Sequence, residues 1–150
     1  MGDIGAMDLI EKIERLFGGA LVEDVIRREH SWNFYFSIGE VGVEHVWRLL
    51  EHGKLIVTDR EDGLTYGELI AIDAEARARE LLLKRRILGA LIDPETADLK
   101  ISFEGGVRLE VLTIAPRTAA WEFDDGKNVI VARGGRVSNS GWIFGDAPQA

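Results

Sequence analysis

The chain has 150 residues, 46% of them apolar, no cysteine and a formal net charge of −8. That length suits one compact domain with a core of its own, and the absence of cysteine excludes disulfides and thiolate metal sites. An acidic surface repels phosphate backbones, so nucleic acid is not expected as a partner, whereas a basic protein is.

The charge is unevenly spread: residues 1–72 carry 14 acids and 7 bases, residues 73–86 carry 3 and 5, and residues 87–150 carry 9 and 6. Solubility alone is the plainer explanation of that acidity. No apolar run approaches the ~18 residues that cross a bilayer. The early acids of MGDIGAMDLIEKIERLF do not read as a signal peptide. The expectation is a soluble, cytoplasmic protein with no membrane partner.

Leu9, Ile10, Ile13, Leu16 and Phe17 recur at helical spacing, and Gly18-Gly19 closes the pattern. SWNFYFS then alternates Trp32, Phe34 and Phe36 with Asn33, Tyr35 and Ser37, as a half-buried strand does. A turn at Ile38-Gly39-Glu40 leads to a second alternation, Val41, Val43, His45. WRLLEHGKLIV (47–57) follows as strand, Gly-Lys turn and β-branched strand, and DREDGLTYGELIAI (59–72) as a turn-rich connector with a short apolar piece.

Asp73 is a good N-cap for a helix on AEARARELLLKRR. The late Lys84, Arg85 and Arg86 suit its dipole without any ligand. DLKISFE alternates Leu99, Ile101 and Phe103 against Lys100, Ser102 and Glu104 by the same logic, turns at Gly105-Gly106 and continues through Val107, Leu109 and Val111. Trp121 opens WEFDDGKNVIV, Gly134-Gly135-Arg136 joins two short strands, and Gly141–Phe144 reads as a last strand before a flexible tail, 145–150.

The order repeats. A helix start, a first strand and a second strand recur 67 residues apart (Met7 and Ala74, Val25 and Ile92, Phe36 and Phe103). The third strand slips by one residue, and LTIAPRTAA adds length before Trp121. The fold expected is therefore α+β: two pseudo-repeated helix-plus-antiparallel-strand halves, about 5–60 and 73–138, joined by a connector at 61–72 and sharing one core. Trp32, Phe34, Phe36, Trp47, Leu99, Ile101, Phe103 and Trp121 are the expected core.

All three histidines follow a glutamate, at Glu29-His30, Glu44-His45 and Glu51-His52. Neighbours on a strand point to opposite faces, so such a pair cannot chelate one ion. There is no HExxH, no G-x-S-x-G and no phosphate-binding glycine loop. The acids of Asp59, Glu61, Asp62 and Asp124-Asp125 fall in turns, where Asp serves turn geometry. No catalytic residue, metal or cofactor is expected.

Three functional readings stay open. The first is a non-enzymatic protein-binding domain whose Glu44, Glu51, His52, Asp59, Glu61 and Asp62 meet a basic partner. The second is an enzyme or small-ligand protein with a cleft between the halves, using Tyr35, His45 and Arg48. The third is a homo-oligomer, a homodimer for instance, paired through sheet edges or Trp142-Ile143-Phe144.

Trp47-Arg48-Leu49, the helix on DAEARARELLLKRR and the stretch Asp93 to Val111 resemble a bacterial family of small single-domain proteins of unknown function. That family carries a WRL-type motif and a D-x-x-T-G-D-L-x-L-x-F-x-x-G-x-x-L-x-V-like stretch, matched here with Ala97 where glycine is usual. The resemblance covers most of residues 18–138; the insertion at 112–120 and the apolar 142–144 depart from it. It implies no activity or catalytic residues. Some such proteins look like immunity components encoded beside bacterial toxins, which implies a toxin as partner.

Overall fold

The computed structural model describes residues 2–139. It has two helices, α1 (Gly2–Phe17) and α2 (Ala74–Leu82), and a single 3-10 turn, Asp59–Glu61. The strands are β1 (Val22–Arg27), β2 (Trp32–Phe36), β3 (Gly39–Val43), β4 (Val46–Glu51), β5 (Lys54–Thr58), β6 (Ile87–Ile92), β7 (Leu99–Phe103), β8 (Val107–Leu112), β9 (Ala119–Asp124), β10 (Val129–Arg133) and β11 (Arg136–Asn139). The strand expected at Gly141–Phe144 and the tail 145–150 lie outside the described residues. No described helix is long and apolar enough to cross a membrane.

The architecture is α+β with sheet dominant. A six-stranded sheet runs β1-β2-β3-β9-β10-β11 and a five-stranded one β5-β4-β8-β7-β6, all pairs antiparallel. Alternation in sequence becomes alternation in burial: Trp32, Phe34 and Phe36 face inward on β2, and Leu99, Ile101 and Phe103 on β7. The first three strands after each helix stay in one sheet. The next two cross into the other, so β9 pairs with β3 and β4 pairs with β8.

That exchange puts the two tryptophans in matching places. Trp47 lies opposite Val111 and Trp121 opposite Val43, and both indoles are fully buried. One apolar cluster takes residues from both sheets and both helices. Trp47 meets Trp32 and Phe34 edge-on at 5.0 and 5.3 Å, and Phe17 of α1 meets Phe36 and Phe123 at 5.8 and 5.1 Å. Each such ring pair adds about 0.5–1.5 kcal/mol to the burial of its area.

The two helix-to-strand crossings pair with each other. Gly19 N–H donates to Ile87 O and Lys84 N–H to Val22 O, while Val22 N–H donates to Arg85 O and Ile87 N–H to Ala20 O. This shortens α2 relative to the sequence expectation. The helix stops at Leu82 because Lys84 takes a positive φ of 68° and turns its amide to β1. Lys84, Arg85 and Arg86 therefore lie beyond the helix, and Arg79 is the base in its last turn. Arg85 Nη1 and Arg86 Nη1 instead donate to the carbonyls of Glu104 and Gly19.

An ion-pair network fastens α2 and the connector to β1. Arg27 donates to Asp62 from Nε and Nη2 (2.6 and 2.8 Å) and to Asp73 (2.9 Å), and Arg79 donates to Asp24 (2.8 Å). The connector's apolar piece is not buried, with Leu69 and Ile70 102% and 84% exposed.

Candidate functional site: the outer face of the six-stranded sheet

The six residues expected to meet a partner separate into three places. Asp59 serves the backbone, accepting from Trp47 N–H at 3.1 Å. Asp62 is held by Arg27 and by Ala74 N–H at 2.9 Å; Arg27 beside it keeps its carboxyl below the ordinary range. Glu61 acts on Tyr66 and raises its hydroxyl above the ordinary range. Glu51 and His52 close the β4–β5 hairpin, where His52 and Gly53 both have positive φ (52° and 80°) and His52 N–H donates to Gly106 O. Only Glu44 stands exposed with its charge uncommitted to a partner of opposite sign.

Tyr35, His45 and Arg48 do not form one cleft. Tyr35 lies on the outer face of β2 and accepts from Arg28 at 2.6 Å. His45 sits at the corner between β3 and β4. Its Nδ1 accepts from Ile114 N–H (3.1 Å), which assigns the ring proton to Nε2, facing Thr118 Oγ1 at 2.5 Å. Burial lowers the basicity of this ring against the pull of Glu44, so it is a neutral lock on the 113–118 loop. Arg48, on the outer face of β4, donates from Nε to Glu110 at 2.7 Å.

Four of these residues do share a hollow. Glu44, His45, Asp59 and Asp62 line a polar depression of about 310 Å³ together with Arg27 and His30. Glu44 joins it to the outer face of the six-stranded sheet, where carboxylates without ion pairs outnumber the nearby cations Arg28 and Arg133. Glu40 on β3 lies directly opposite Asp124 on β9, and Gly42 opposite Glu122. Val41, Val43, Trp121 and Phe123 point inward, so these acids point out. Partial desolvation holds the Glu122 carboxyl above its ordinary range, and Glu44 and Asp124 push the same way against Arg133. Glu40 accepts only a neutral donor, Asn33 Nδ2, at 3.2 Å.

No family model, curated protein or solved structure matches the chain. Among the described residues no group of three or more His, Asp or Glu is placed to hold a metal ion.

Glu40, Glu122 and Asp124 were not among the residues expected from sequence. Glu40 and Glu44 bracket an alternating strand, a legible sign that they share its outer face. Their meeting with Glu122 and Asp124 depends on β3 pairing with β9, about 80 residues away in the chain, which no local pattern contains.

Proposed function

We propose that the protein is a non-enzymatic binding domain that takes a basic protein partner on the outer face of its six-stranded sheet. The observation that carries this reading is that Glu40 faces Asp124 with neither in an ion pair, Asp124 accepting from Gly126 N–H at 2.8 Å, and that Glu122 and Glu44 lie alongside. Like charges directly opposite on a sheet destabilise it. The other sheet shows that the fold can neutralise such a position: its outer face sets Glu110 between Arg48 and Arg108. Gly42 sets no side chain of its own between Asn33 and Glu122. An immunity-type role, in which this face covers a basic toxin surface, is the form of the reading that the sequence resemblance favours.

Affinity capture tests it, with the wild-type chain and Glu40→Gln/Glu44→Gln/Glu122→Gln run side by side at low salt. Basic proteins held by the wild type and lost by the variant are expected. Identical captured sets would remove the acidic face from the account.

We infer further that the chain arose from two copies of one unit. What supports this is the reciprocity of the crossings: Gly19 with Ile87 answers Lys84 with Val22, each pair related by the same 65-residue step. The bulges in β1 and β6 fall at Val22/Asp24 and Ile87/Gly89, again 65 apart.

A further inference from the structure

A second site lies on the opposite sheet. A pocket of about 550 Å³ opens between the outer surface of β4, β5 and β8 and the connector, within the ordinary size range of small-molecule sites. Its lining is mixed: Val46, Leu55, Ile56 and Leu112 supply apolar surface, Arg48, Thr58 and Glu61 polar groups, and Tyr66 of the connector adds its ring. Tyr66 and Leu55 remain 67% and 62% exposed. They leave apolar surface uncovered at the pocket, as interaction sites do.

One cation is built into this wall. Arg48 gives its Nε to Glu110, and Arg108 gives its own Nε to the other carboxylate oxygen at 2.8 Å. Burial pushes the Glu110 carboxyl up, but the two guanidinium groups outweigh it and keep it ionised. Two cations on one anion leave a net positive charge, and Lys100 adds to it from the strand position opposite Glu110. This face is therefore locally basic on a chain whose net charge is −8. Arg48 keeps its terminal nitrogens for the pocket, and a planar guanidinium edge matches a carboxylate. Glu61 also lines the pocket, so an anion is favoured only where Arg48 outweighs it.

We propose that this pocket binds an anionic amphiphile, a medium-chain molecule whose apolar body lies on Val46, Ile56 and Leu112 and whose carboxylate pairs with Arg48. The site is separate from the acidic face and stands whether or not that face has a partner.

The probe is octanoate, with octanol as its uncharged counterpart, titrated into isotope-labelled protein by NMR. Octanoate is expected to shift the methyls of Val46, Ile56 and Leu112 and to bind more weakly as salt rises. Arg48→Met should weaken octanoate by roughly tenfold, the loss of one charge-assisted contact, and leave octanol unchanged. Tyr66 is exposed, so Tyr66→Ala spares the fold; it should weaken both ligands alike. Absent methyl shifts, octanol binding as tightly as octanoate, or indifference to both substitutions would each overturn the proposal.

Discussion

Trp47 and Trp121 occupy matching register positions, yet their indole nitrogens differ. Trp121 Nε1 donates to Ala97 O at 2.8 Å, whereas Trp47 Nε1 has no hydrogen-bond partner among the described residues and its ring meets Trp32 and Phe34 instead. The loop carrying Ala97 spans 93–98 and its counterpart only 28–31, two residues fewer, so no matching carbonyl is in place. Ala97 itself sits at a φ of 62°, a left-handed conformation that glycine adopts more readily. Lys84 stands in the same relation to Gly19: their φ values are 68° and 86°. If the crossings are copies, the left-handed conformation at Lys84 is inherited and strained. Lys84→Gly should then raise the unfolding free energy by about 0.5–1 kcal/mol in a urea titration. A loss of stability would show that the lysine stem matters more than the backbone and that the two positions are not equivalent.

At the scale of elements, periodicity located both helices and most strands, since alternation and 3.6-residue spacing are local properties; β1 and β6 were marked only by Val25 and Ile92, and their bulges put them 65 residues apart, not 67. It overran α2 because the residues past Leu82 keep a helical composition while their amides are claimed by β1, a tertiary bond that composition cannot carry. The acids of the connector were legible as turn formers. Their bond to Arg27 was not, since it joins positions 35 and 46 residues apart. That bond gives the connector a pH dependence. Asp62 and Asp24 are lowered mainly by their arginines, and Asp73 by Ala76 N–H and then Arg27. A lowered carboxyl stabilises the fold fully above its ordinary value near pH 4 and loses that contribution as pH falls below it. Amide protection at Ala74 and Ala76, which donate to Asp62 and Asp73, should therefore fail on acidification before that of β7 and β8. Simultaneous loss across all of these amides would contradict a locally held connector.

For the whole molecule, the strands were visible in the sequence but their sheets were not. The 67-residue spacing and the one-residue slip at the third strand match β2 with β7 and β3 with β8. Nothing in that spacing says that β4-β5 and β9-β10 change sheets. This exchange brings Glu40 opposite Asp124 on one outer face and Arg48 opposite Glu110 on the other, so one face is acidic and the other locally basic. The account holds that the acidic face contributes nothing to holding the fold together. Urea unfolding at pH 7 and low salt, comparing the wild type with Glu40→Gln/Glu44→Gln/Glu122→Gln, tests that most directly. The variant is predicted to be the more stable by a few tenths to about 1 kcal/mol, with the gap narrowing as salt is added. A variant less stable than the wild type would mean that those carboxylates are structural and the face is not kept for a partner.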